Sequence, residues 1–352
     1  MDSVKRKKLV DHWITYGVVI LGWIIVQALG ATGHMTNQIN GLLVPICMYV
    51  ILAVSLNLTV GISGELSLGH AGFMCVGAFS GSFFTKLMAE SIPSLSVRFA
   101  IALVIGTLVA AFFGVLIGIP VLRLRGDYLA IVTLAFGEII KNVMNVIYVG
   151  VDNGAIRIAM EKKSNLNLSE NGRVIIEGAM GITKTPKAST FTIGVVLVLL
   201  TLFIVLNLIH SRTGRAIMAI RDNRIAAESV GVNITKYKLL AFSISASLAG
   251  MAGVLYSHNL ASLAAEKFNY NMSILILVYV VLGGIGNIRG SIISAVILTL
   301  LPELLRGLNN YRMLIYAIVL IIMMILNSAP SAIAARGRLL ERFQRKNTKE
   351  AA

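Results

Sequence analysis

Long apolar runs alternate along this chain with short polar connections. A membrane-crossing helix needs about 20 mostly apolar residues. On that measure spans are predicted at 13–30, 40–61, 66–88, 97–122, 128–149, 190–209, 236–260, 271–284, 290–306 and 311–328. The fold class that follows is an all-α polytopic membrane protein of about ten transmembrane helices, the eighth and ninth of them short. KRKK at 5–8, followed by an apolar run ending near Ala28 and Gly30, also has the form of a signal peptide. With many further spans behind it, an uncleaved first helix is the reading adopted; N-terminal sequencing that found a start near Ala31 would refute it.

One polar stretch interrupts the pattern, RTGRAIMAIRDNRIAAESVGVN at 212–233, with four arginines between two long apolar runs. Asp222 or Asn223 can cap a helix start, Ile225 to Val230 can form about two turns, and Gly231 followed by Asn233 is a C-terminal stop. Such a helix is roughly 12 Å long, the size of a peg. The other long interruption, 150–189, has Gly, Asn and isolated apolar residues and reads as a surface flap.

Composition agrees with the spans: 57% of the 352 residues are hydrophobic and 13% charged, against about 25% charged in soluble domains. The net charge of +15 reflects basic loops at 5–8, 123–125, 212–238 and 336–349, a pattern of cytoplasmic loops and not of a nucleic-acid groove. With residues 1–12 a cytoplasmic N-terminus, loop parity puts 123–125, the segment 212–235 and the basic tail 329–352 on the cytoplasmic side of the 13–328 membrane domain. The nearly balanced loop 150–189, with Arg157, Lys162, Lys163, Arg173, Lys184 and Lys187 against four acidic residues, then lies outside, where a delivery protein can reach it. Cys47 and Cys75 both fall in apolar runs and imply no disulfide framework.

Glycine marks two places where helices are predicted to break. GISGELSLGHAGFMCVGAFSG at 61–81 carries polar residues around Gly61 and Gly64, and GGIGNIRG at 283–290 contains Gly283, Gly284 and Gly286. Gly77 and Gly81 fit close helix packing instead. Broken helices at matching places in two halves point to a transport path. Halves at about 40–149 and 236–328, five crossings apart, would be an inverted repeat.

Charge inside a membrane costs about 2.5 to 3.5 kcal/mol per central residue on insertion scales and is functional by default. Glu65, His70, Glu138, Lys141 and Glu303 are the candidates. Glu138 and Lys141, three apart, can form an ion pair on one helix face or touch a substrate. His70 reads as a packed, hydrogen-bonded histidine or a proton relay, Glu65 as a cap on helix amides, and Glu303 after Pro302 as a boundary residue. With Ser67 and Thr133, residues Glu65, His70 and Glu138 are the candidates for a translocation path. No HExxH, GxSxG, CxxC or GxxxxGK[ST] pattern occurs, so no catalytic residue, metal site or bound cofactor is assigned.

LNLTVGISGELSLGHAGFMCVGAF (56–79), LRLRGDYLAIVTLAFGEIIK (122–141), TGRAIMAIRDNRIAAESVGVNITKYKLLAFSISASLAGMAGVLY (213–256) and VLGGIGNIRGSIISA (281–295) resemble permease subunits of branched-chain amino acid ABC importers of the LivM type. The similarity covers nearly the whole chain after residue 40. It implies a bacterial inner-membrane, multi-pass importer subunit. Two homologous permeases pair, two ATP-binding subunits hold ATP and Mg, an extracytoplasmic substrate-binding protein delivers the cargo, and membrane lipid surrounds the assembly. AAESVG at 226–231 is similar to the family's EAA-type coupling segment, with Glu228 and Gly231 at matching positions, although the order AAE departs from EAA. The coupling set implied is Arg215, Arg221, Asp222, Arg224, Ala227, Glu228 and Gly231, on a helix that transmits ATP-driven motion. Urea and short-chain amide importers have similar permeases, and an ion-coupled secondary transporter would also show broken helices and buried carboxylates. The latter would work alone and need no peg.

Overall fold

The computed structural model describes residues 2–328 apart from 33–35, 125, 153–154 and 170–171. The predicted tail 329–352 and the side chains of the 5–8 cluster lie outside the described residues. Twelve α-helices follow one another among those described: α1 Asp2–Ala31, α2 Asn37–Asn57, α3 His70–Leu87, α4 Leu95–Val121, α5 Asp127–Val146, α6 Phe191–His210, α7 Arg212–Asp222, α8 Arg224–Ser229, α9 Ile234–Ser257, α10 Tyr270–Gly283, α11 Ile288–Leu304 and α12 Arg312–Ser328. Among the described residues seven spans are long and apolar enough to cross a membrane, 14–31, 38–62, 95–121, 127–146, 191–210, 234–257 and 288–307, and two shorter apolar helices lie at 270–283 and 314–325. The chain is an all-α polytopic membrane protein.

Three boundaries differ from the sequence expectation, each for a local reason. Residues 2–12, expected as a separate N-terminus, continue α1 without interruption. The third span starts at His70 and not at 66, because 63–69 leaves helical geometry. The predicted flap holds a three-stranded antiparallel sheet, β1 (Ile147–Asp152) between β2 (Ala155–Met160) and β3 (Arg173–Glu177). A second small ladder pairs β4 (Ile182–Thr183) with β5 (Ser262–Leu263).

Polar side chains set the helix starts. Thr190, Ser211, Asn223, Asn233, Asn269 and Asn287 each accept a hydrogen bond from a backbone N–H in the first turn of the helix that follows, which satisfies one of the donors a helix start leaves open. Between them α7 and α8 occupy the polar stretch, and Asn223, not Asp222, caps the peg.

Small residues bring α3, α4 and α9 close enough for backbones to touch, the packing that membranes favour. A Cβ on Gly81 would meet a Val254 methyl at 2.8 Å, one on Gly106 would meet the Gly77 carbonyl oxygen at 2.8 Å, and Gly77 lies directly against the Gly250 backbone. Within α9, 67% of the residues in its apolar span are buried as a result, whereas only 6% of residues 14–31 of α1 are.

Helix α6 calibrates the two ends of the bundle. Just before its start, the N–H groups of Ala188 and Ser189 donate to the carbonyl of His258, beyond the end of α9; its own end runs into α7. Twenty residues separate the ends, roughly 30 Å. Helix α2 runs toward the α7 end and stops in the irregular segment 63–69; α9 runs toward the sheet end and stops in the irregular segment 258–269. The units α2–α3 and α9–α10 therefore run in opposite senses, and their second helices meet where the Ala71 N–H donates to Ser273 Oγ (3.1 Å).

Candidate functional site

Helix α2 does not end cleanly. It loosens into a π turn over Leu58–Ile62, a feature that frequently marks functional sites, and Gly64 then reverses the chain with φ +74°. The carbonyl of Gly61 takes its partner from elsewhere: Arg221 Nη1 on α7 donates to it at 2.9 Å. The same guanidinium is held from the other side by Asp222 Oδ1, which accepts from Nε (3.0 Å) and Nη2 (2.9 Å). The Arg221 stem fills the space where Gly64 lacks a side chain, since a Cβ there would meet Cγ at 2.7 Å. One residue on, Glu65 forms an ion pair with Lys238 of α9, both side chains nearly covered.

The second break lies between α10 and α11, where Gly284 (φ +92°) and Gly286 (φ +83°) turn the chain. Gly283 packs against the backbone of Gly290 and Ser291. Asn57, fully buried on α2, joins the two breaks: its Oδ1 accepts from the Gly286 N–H (2.8 Å) and its Nδ2 donates to Ser291 Oγ (2.8 Å). A Cβ on Gly61 would sit 2.7 Å from Gly286 Cα. Sequence reasoning missed Asn57, although a signal was available. It is a polar residue within an apolar span, four before Gly61 and hence on the same helix face.

The remaining path candidates gather deeper, around the starts of α3 and α10. His70 Nε2 lies 2.7 Å from Ser55 Oγ, a packed and hydrogen-bonded histidine. Thr133 Oγ1 accepts from the Leu68 N–H (3.0 Å) and holds the irregular segment against α5. Ser67 is buried, its hydroxyl meeting no partner among the described residues. Glu138 pairs with Lys141, and its Oε1 accepts from the Tyr270 N–H (2.9 Å) at the first residue of α10. The carboxylate thus sits on a helix start, where both the open N–H groups and the helix dipole favour negative charge. Glu303 pairs with Arg306 at the far end of α11 (3.0 Å), away from both breaks.

On the polar helices, buried Gly214, Ile217 and Ile220 recur at helical spacing on α7 while Arg212 and Arg215 face outward. Arg215 Nη1 donates to the His210 carbonyl (3.2 Å). Ala227 packs with Ile220 and Ile234 in a small core of its own. Arg224 is half-buried and Glu228 exposed. Gly231, at φ +82°, ends α8, its N–H bonded to the Glu228 carbonyl. Ile225 and Val230 are 81% and 77% exposed, an apolar pair on an otherwise polar element.

An apolar cavity of about 890 Å³ lies between α1, α2, α6 and α11, lined by Trp23, Ile46, Val195 and Val296 among others; no residue of either break lines it.

A family model described as branched-chain amino acid transport system / permease component matches residues 38–326, which include both breaks and the polar helices. The chain belongs to this permease family. It is 37% identical over 287 residues to the high-affinity branched-chain amino acid transport system permease protein LivM of Salmonella typhimurium, and equally to that of Escherichia coli K12, covering 79% of this chain. The permease spans 66% of the length of these relatives, slightly under two thirds. More distantly it is 24% identical to the fructose import permease protein FruG of Bifidobacterium longum, over 90% of each chain. No solved structure matches it. The family it belongs to is that of permease components of transport systems.

Proposed function

We propose that the chain is a transmembrane permease subunit of an ATP-driven importer and forms part of the translocation path for branched-chain amino acids. The 37% identity to the LivM proteins favours this cargo over the sugar named for the 24% relative. In the assembly proposed, a second homologous permease completes the path, two ATP-binding subunits carry ATP and Mg, and an extracytoplasmic binding protein delivers the amino acid. The membrane is the bacterial inner membrane, both termini are cytoplasmic, and the basic α7 end faces the cytoplasm with the sheet end outside, the orientation that positive-inside loops favour.

The observation that carries this reading is the α7–α8 pair. Short, polar and rigidly capped, it ends in two exposed apolar side chains, Ile225 and Val230, which suit a groove on a partner protein. It is also tied by Arg221 to the first helix break. Transport proceeds by alternating access. The binding protein releases the amino acid at the sheet end, ATP-driven movement of the partner subunits displaces α7–α8, and the path reopens at the cytoplasmic end. Glu65, Ser67, His70, Thr133 and Glu138 lie along this path; the bonds made by Glu65, His70, Thr133 and Glu138 suit holding its walls.

Cysteine crosslinking tests the docking. A single cysteine at Glu228, in an assembled and active complex, is expected to crosslink to an ATP-binding subunit. An active complex that gives no crosslink from exposed Glu228 contradicts it.

A further inference from the structure

We infer that Arg221 is the positioning residue through which movement of the polar helices reaches the transport path, and that the breaks at 61–65 and 284–286 move with it as one joint. This rests on the importer reading above and names the linkage inside it.

The carbonyl of Gly61 belongs to the last turn of a helix that stops, so it has no partner further along its own chain. A guanidinium supplies one (2.9 Å), a charge-assisted hydrogen bond of the stronger kind. Asp222 holds two other nitrogens of the same planar fork, which fixes the plane of the guanidinium relative to α7. Lysine, with a rotating ammonium, cannot reproduce that orientation. The aliphatic stem of Arg221 lies against Gly64 at a spacing that excludes any side chain there, so α7 also presses sterically on the reversal of the chain. Lys238 of α9 holds Glu65 from the other side of α8. Helices α7 and α9, which flank the peg, therefore both grip the segment 61–65. Asn57 then carries the connection across to Gly286 and Ser291, and the bare face of Gly61 lies against both the Asn57 amide oxygen and the Gly286 backbone. A displacement of α7 is thereby delivered to the first break through one hydrogen bond and on to the second through Asn57.

A purely stabilising role for Arg221 would produce the same contacts but a different phenotype. The test uses the full complex in proteoliposomes, loaded with binding protein and leucine, with ATP hydrolysis and uptake measured in the same vesicles. Arg221→Met is expected to keep hydrolysis within about twofold while uptake falls about tenfold, the loss one hydrogen bond to a charged group can carry, so that ATP consumed per leucine rises. Arg221→Lys, which retains the charge, is expected to fall between Met and wild type and gives the same readout if the Met variant does not assemble. Hydrolysis and uptake that fall in proportion, or uptake that does not fall, overturn the inference. Wild-type vesicles that show no ATP-driven uptake sink the importer reading itself and the inference with it; an active wild type with an unchanged ratio in the variants sinks the inference alone.

Discussion

Asn57 and Gly286, 229 positions apart in the chain, meet at 2.8 Å, side-chain oxygen to backbone N–H. Through that bond and its companion to Ser291 Oγ, a helix from the first half of the chain closes the turn between two helices of the second. Asn57→Leu keeps the approximate size but leaves the Gly286 N–H without its partner in a buried site and takes one of two partners from the Ser291 hydroxyl, at a cost of about 1–3 kcal/mol. A lower melting temperature of the purified chain in detergent is expected. Asn57→Asp keeps the acceptor but buries a charge and should be worse. An unchanged melting temperature for both would remove Asn57 from its bridging role.

Two glycines are predicted to fail for different reasons. At Gly61 the obstacle is space, because an added Cβ would sit 2.7 Å from Gly286 Cα, a backbone atom that cannot rotate away; overpacking of this kind costs about 1–3 kcal/mol. At Gly231 a Cβ would meet nothing within 4 Å, yet φ is +82°, and the left-handed conformation costs about 1–2 kcal/mol for most non-glycine residues but less for Asn, whose short polar side chain visits it more readily. Gly61→Ala should therefore lower thermal stability, whereas Gly231→Asn should be tolerated better than Gly231→Ala. Equal behaviour of Asn and Ala at 231 would contradict the conformational account.

Glu138 separates a wall residue from a substrate contact. Glu138→Gln keeps an acceptor for the Tyr270 N–H and loses the pair with Lys141; Glu138→Ala loses both. The bonding observed predicts near wild-type apparent affinity for the amino acid in the Gln variant and a drop in melting temperature in the Ala variant, worth about 1–3 kcal/mol. Loss of substrate affinity in Glu138→Gln at unchanged stability would make the carboxylate a substrate contact.

Outside the membrane, Asp152 at the end of β1 is expected to titrate below the ordinary value of 3.8. The Ser169 hydroxyl and then its backbone N–H bond the carboxylate, and Arg157 adds charge attraction. A depressed pKa means that the stabilisation is present above the ordinary value and is lost as pH falls through the folded one. In Ser169→Ala the Asp152 carboxyl should titrate nearer to 3.8 by carbon-13 NMR. An unmoved midpoint would show that Ser169 does not set it.

Much of this architecture is written locally. Apolar length announced most of the spans, and Asn223 with Gly231 bracketed the peg to within a residue. The sheet was legible too and was passed over. IYVGVD and AIRIAM are rich in β-branched residues and flank Asn153-Gly154, a strong hairpin signal. The joint was another matter. Gly61 and Gly64 could be read as a break, but that the Gly61 carbonyl would be answered by Arg221, 160 residues away, leaves no trace in spacing or hydropathy. The interruption after α9 was legible, with spans expected to end at 260 and resume at 271, but its partner was not. Its backbone is satisfied by 182–189, on the far side of α6 in sequence.

The central claim is that this chain transports only as the driven half of a machine. The most direct test is leucine uptake into vesicles holding either the full complex with its binding protein or this chain alone. The account predicts uptake that requires ATP, the partner subunits and the binding protein together, with none from the single chain under a proton or sodium gradient. Gradient-driven leucine uptake by the purified chain alone, without ATP, would contradict it.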